Sequence, residues 1–143
     1  MTEAPDRNRI LVERARDHVA VVRIASEPLG VLRVAVKERL LAVLRDLDAD
    51  PSVRAVVLTG QGRAFSVGSD VREFQPDPGW LLAAEYAENG VNDFIEASRL
   101  PVIAAVNGDA LGGGVGVPLA PRIPIPPRRA PPGVPEGQGR ALP

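Results

Sequence analysis

The sequence predicts an α/β fold in which a largely parallel sheet is flanked by helices. Three observations carry this expectation. Short β-branched runs alternate with two longer segments of helical periodicity, a proline closes each helical segment, and two of the strand runs open into glycine-rich loops. Helices lying between strands imply right-handed β-α-β crossovers, and hence parallel neighbours.

Taken in order, "ILVER" and "VAVVRIA" are two short β-branched runs separated by "ARDH", the pattern of an antiparallel hairpin. "VAVKERLLAVLRDLDAD" then sets Val36, Leu40, Leu44 and Leu47 at helical spacing with charges between them, and Pro51 marks its end. "VRAVVLTG" reads as a buried strand that stops at Gly60, and "QGRAFSVGSD" as a glycine-punctuated loop. A second helix places Trp80, Ala84, Ala87, Val91 and Ile95 on one face and stops before Pro101, after which "VIAAV" is another buried strand. Ligands of such sheets sit beyond the carboxyl ends of the strands. The loops beginning at Thr59-Gly60 and at Asn107-Gly108 are therefore expected to share one edge.

Composition narrows the function. The 143 residues fit one domain with a moderate core, and 45% hydrophobic against 24% charged residues is globular composition. A net charge of −1 gives no global field toward nucleic acid or an anionic membrane. With no cysteine there are no disulfides or thiolate metal sites. The N-terminus "MTEAPDRNRI" is too polar for a signal peptide, and Pro101 to Ala120 is interrupted by Asn107, Asp109 and five glycines, a poor membrane span. The expectation is a soluble, cytoplasmic protein. Residues 1–117 carry 13 Lys/Arg and 17 Asp/Glu, whereas residues 118–143 carry four arginines, one glutamate and nine of the fifteen prolines. Two parts are therefore expected: an N-terminal domain over 1–117 and an atypical proline/arginine-rich tail over 118–143. That tail is unsuited to ordinary helices or central strands.

The chemistry-bearing signal lies in the two loops. Without Cβ atoms, glycines let backbone N–H groups come close to a ligand, and N–H groups at a helix start are unpaired and at the positive end of its dipole. Two such donors aimed at one oxygen would stabilise developing negative charge. Gly112 to Gly114 equally suit a tight turn and close packing alone. Neither loop gives a full G-x-G-x-x-G for a dinucleotide, and no G-K-[ST] is present for a P-loop.

"VRAVVLTGQGRAFSVGSDVREF" at 53–74, followed by "LPVIAAVNGDALGGG" at 100–114, resembles the enoyl-CoA hydratase/isomerase (crotonase) superfamily, with the likeness covering about residues 8–117. The resemblance implies a crotonase-like ββα spiral, here incomplete, assembled as a homotrimer or hexamer. It implies an acyl-CoA thioester as substrate, in fatty acid metabolism, with no metal or redox cofactor and neither nucleic acid nor membrane as partner. The oxyanion hole would consist of the backbone N–H groups of Ser69, in "VGSD", and Gly113, the middle glycine of "LGGG". Ser69, Asp70, Val71, Arg72 and Gly113 would line the acyl-CoA, Arg72 beside its phosphates. Arg72 equally reads as a solvated surface charge, and Asp70 as a brace of its own loop. Ser69 would act through its backbone: no G-x-S-x-G surrounds it, and His18, the single histidine, sits in the N-terminal hairpin.

The sequence departs from the family pattern at three places. Gly116 stands where hydratases carry a first glutamate, and the second is matched by Glu136 in "GVPE", a candidate acid/base. The Asn-Ala-Leu-like segment that contributes to the CoA pocket has no counterpart in "SEPLGVLRVAV". Finally, prolines 118, 121, 124, 126 and 127 replace a helix, and the chain is shorter than the family's usual length. The leading expectation is hydration or double-bond isomerisation of enoyl-CoA through a held enolate. The alternative is a truncated, catalytically inactive chain, or a subunit that binds only CoA or a partner.

Overall fold

The expected hairpin forms from β1 (Ile10–Arg14) and β2 (Val19–Ile24), which pair antiparallel with Ile10 opposite Ile24 and Arg14 opposite Ala20. Asp17 and His18 turn the chain in the left-handed region, φ 57° and 66°. The computed structural model describes residues 6–112, Val117 and residues 123–126. Helix α1 (Val34–Ala49) crosses over to β3 (Ala55–Gly60), parallel to β2, and α2 (Pro78–Ala97) crosses over to β5 (Val102–Ala105), parallel to β3. The sheet runs β1-β2-β3-β5-β7, the last being Ile123–Ile125. This is the α/β, largely parallel architecture that the sequence pattern predicts.

Period-two alternation along the strands builds the core. Ala20, Val22 and Ile24 of β2 share a face with Val56 and Leu58 of β3 and Val102 and Ala104 of β5, as the registers require. Against that face lie Val36, Leu40, Leu44 and Leu47, the predicted stripe of α1. Each such large side chain removed from water stabilises the fold by about 1.5–3 kcal/mol. The predicted stripe of α2 is also its least exposed side, with Val91 and Ile95 buried and Trp80, Ala84 and Ala87 half-buried. Asp77 caps that helix by accepting the Trp80 N–H at 2.8 Å, with Pro78 in the first turn where no donor is needed.

One sequence expectation needs correction. "QGRAFSVGSD" is not loop throughout, because Ala64–Ser66 form β4, which pairs in parallel with β6 (Asp109–Ala110). Phe65 is wholly buried, and this anchors a strand too short to show periodicity in the sequence. Lys37, one of the charges between the apolar positions of α1, is buried, its side chain 5% exposed. In the proline-rich part, β7 pairs with β5 at the sheet edge, Pro124 opposite Ala104. The Val106 N–H donates to the Ile125 carbonyl, so in this parallel ladder the donorless Pro124 nitrogen faces away from β5.

Candidate active site

The strand ends of β3 and β5 are stitched together, and this sets the site. Asn107 Oδ1 accepts the Gly60 N–H at 2.9 Å and lies 3.3 Å from Thr59 Oγ1, which donates to the Ala105 carbonyl at 2.8 Å. Asn107 Nδ2 donates to the carbonyls of Gly62 (2.8 Å) and Ala64 (3.3 Å). Gly108 is required at its position: a Cβ there would overlap the Arg63 carbonyl oxygen.

From this junction β4 and β6 run side by side. Ser66 is paired with Ala110, and the Leu111 N–H donates to the Ser66 carbonyl at 3.0 Å. Ser69 lies three residues past Ser66, and Gly113 three past Ala110. Each follows a glycine in the left-handed region: Gly68 at φ 92° and Gly112 at φ 53°. Gly113, Gly116 and Glu136 lie outside the described residues.

Ser69 is held from the other side. It forms a parallel bridge with Leu32, whose N–H donates to the Gly68 carbonyl at 2.8 Å. In a parallel bridge of this phase the N–H of Ser69 points away from Leu32. It donates to no acceptor among the described residues. The Ser69 hydroxyl, in contrast, is engaged: Lys37 Nζ donates to Oγ at 3.0 Å and to Glu88 Oε2 at 2.9 Å, and Oγ stands 3.4 Å from that same Oε2. His18 is far off in topology, at the amino end of β2, where its Nδ1 pairs with the Ser52 carbonyl at 2.9 Å. A Ser69–His18 couple is thereby ruled out.

Asp70 is the anchor of the loop. Its buried carboxylate takes Arg72 Nε and Nη2, both at 2.8 Å, the Arg72 N–H at 3.1 Å and Arg33 Nε at 3.1 Å. The hydrogen-bonded Arg72 guanidinium foremost, then the Arg72 N–H and the charges of both arginines, hold this carboxyl well below the usual carboxylate range, against the opposing effect of burial. Asp70 thus braces its loop and caps a 3₁₀ turn at Val71–Glu73. Arg72 is 72% exposed at its side chain while two of its nitrogens stay on Asp70, and Val71 is exposed beside it. Glu73 Oε2 accepts the Val34 N–H at 3.0 Å, so the turn caps α1, whose own preceding residue, Arg33, supplies no side-chain cap. Neither the Glu73 cap nor the Lys37–Glu88 pair carries any local sequence signal, since 39 and 51 residues separate the partners.

A groove of about 870 Å³ between α1 and α2, lined by Leu41, Arg45, Leu82, Tyr86 and Phe94, does not include Ser69. Among the described residues no three His, Asp or Glu side chains converge in a way that could hold a metal ion, and no helix is long and apolar enough to cross a membrane.

A β-β-α unit followed by a parallel strand, with two strand-end loops laid together at the carboxyl edge, is the architecture of crotonase-fold proteins. The family model described as "Enoyl-CoA hydratase/isomerase" matches residues 14–136, a span that reaches Glu136. The chain belongs to the enoyl-CoA hydratase/isomerase family. It is 37% identical over 120 residues to a Bacillus subtilis protein described as "Probable enoyl-CoA hydratase", covering 82% of this chain and 46% of that one. Among solved structures, Pseudomonas aeruginosa DspI superposes with a TM-score of 0.85 at 28% identity, over 99% of this chain and 55% of that one. Human mitochondrial delta3-delta2-enoyl-CoA isomerase gives a TM-score of 0.74 at 29% identity, over 80% and 45% of the two chains. The chain therefore spans about half the length of the relatives it matches.

Proposed function

We propose that this chain binds an enoyl-CoA thioester and stabilises its enolate for hydration or double-bond isomerisation, as part of fatty acid metabolism. The observation that carries the proposal is the paired geometry of the two loops. Parallel strands β4 and β6 each lead, through a left-handed glycine, to one of the two expected donors, Ser69 and Gly113. The Ser69 N–H is not consumed by a hydrogen bond among the described residues. Its hydroxyl is occupied by Lys37, which agrees with a backbone role for this serine.

Two donors preorganised toward the thioester oxygen act where charge develops, so each contributes about 10²–10³ in rate. Asp70 keeps the first loop rigid, and Arg72 at its rim presents a guanidinium to the CoA phosphates. Acyl-CoA is the substrate and the reaction needs no metal or redox cofactor. Glu136 is the candidate proton carrier. The working assembly is a cytoplasmic homotrimer or hexamer.

The test is a coupled assay with crotonyl-CoA, which reads hydration, and a 3-enoyl-CoA, which reads isomerisation, alongside calorimetric titration with CoA thioesters. Turnover of either substrate supports the proposal. Inactivity toward both in a folded sample that still binds the thioester would replace it with a CoA-binding subunit.

A further inference from the structure

Lys37 and Glu88 come from different helices and meet at the hydroxyl of Ser69. The Lys37 side chain is buried, 5% exposed, while that of Glu88 is 36% exposed. A lysine buried to this degree is rare unless a charge partner compensates it, and here the partner is Glu88 at 2.9 Å. The result is a carboxylate fixed by Lys37 on a partly exposed side chain, 3.4 Å from the Oγ of Ser69. Gly116 leaves the family's first carboxylate position without a proton carrier, so a second-helix carboxylate next to the oxyanion residue has a vacancy in the chemistry to fill.

We propose that Glu88 is the base that exchanges the C2 proton of the bound thioester, and that Lys37 is its positioning residue. The inference rests on the acyl-CoA reading above. With a 3-enoyl thioester, the Glu88 carboxylate takes a proton from C2 and the C–H electron pair moves onto the thioester oxygen, held by the N–H of Ser69. As the carbonyl reforms, a C2=C3 bond forms, the C3=C4 pair takes the proton back from Glu88 at C4, and the carboxylate is regenerated. Atoms and charge balance with no co-reactant. Lys37 holds the carboxylate toward Ser69 through each step.

The experiment is C2 hydrogen–deuterium exchange of butyryl-CoA in D₂O, followed by NMR or mass spectrometry, because it reads enolisation without a full turnover. Glu88→Gln retains an acceptor for Lys37 but no longer takes up a proton. It is expected to slow exchange by about 10²–10⁴-fold with thioester affinity unchanged, measured per folded molecule because the loss of the counter-charge of Lys37 lowers the melting temperature. Glu88→Asp should fall between the two. Lys37→Met should slow exchange without weakening binding, and Lys37→Arg should recover part of it, a pattern that a merely structural pair would not produce. Wild-type exchange that survives Glu88→Gln but is lost in Glu136→Gln overturns the assignment and leaves the acyl-CoA reading intact. Wild-type protein that binds thioester but does not exchange overturns the Glu88 role, whereas failure to bind thioester at all overturns the functional reading beneath it.

Discussion

Asn107 accepts the backbone N–H of Gly60 at 2.9 Å across 47 residues of chain, and so fastens the end of β5 to the end of β3. The same side chain satisfies the Gly62 and Ala64 carbonyls, which fixes the start of the loop leading to Ser69.

Asn107→Leu is therefore expected to cost stability and activity together. It leaves the Gly60 N–H without its acceptor, and each such orphaned buried group costs about 1–3 kcal/mol. Urea unfolding should show the lower midpoint with an unchanged slope, and turnover should fall further than the folded fraction does.

Replacing Ser69 separates backbone from side chain. Ser69→Ala retains the N–H and is expected to lower turnover less than tenfold, through the loss of the Lys37 contact. Ser69→Pro removes the donor and should cost about 10²–10³ in kcat. Circular dichroism of both variants establishes that the sheet is intact, and equal losses in both would argue against the backbone role.

Arg72→Ala should weaken CoA binding about tenfold or more, on the scale of a charge-assisted contact of about 1.5–3 kcal/mol. Asp70 remains paired with Arg33 in that variant, so the loop is expected to stay braced. Calorimetry at two salt concentrations is the check: the wild type should show the steeper salt dependence, and identical slopes would place Arg72 away from the phosphates.

Acid should destabilise the fold through two aspartates. Ser52 hydrogen bonds, side chain first and then backbone, together with Arg14, lower Asp50 from 3.8 to about 2, and Arg72 lowers Asp70 further still. Both folded values lie below the unfolded ones. Their stabilising contribution is then complete above about pH 4–5 and is lost as pH falls from there toward 2. Denaturation midpoints measured across that range should drop in the wild type and drop less in Asp50→Asn and Asp70→Asn.

Much of this was legible in the linear chain because it depends on short-range regularities. Helical spacing marked the buried stripe of α1, and β-branched runs marked the three strands at the centre of the sheet. Glycines at two strand ends marked the loops that the tertiary structure lays side by side. "VGSD" and "LGGG" carried the family likeness, and the family match over residues 14–136 agrees with it. The β4–β6 pair escaped because three residues against two show no period, and its strength lies in the burial of Phe65. Lys37 escaped for a different reason. One residue past Val36 it reads as a charge at the edge of an apolar stripe, and nothing near it in sequence announces Glu88.

The sequence by itself determined the strands at the centre of the sheet, the two long helices and the glycine-rich loops at two strand ends. Periodicity and glycine placement are written in neighbouring residues. Only the tertiary structure decided which charges meet at Ser69. A buried ammonium needs a partner, and packing α2 against α1 is what brings Glu88 to Lys37.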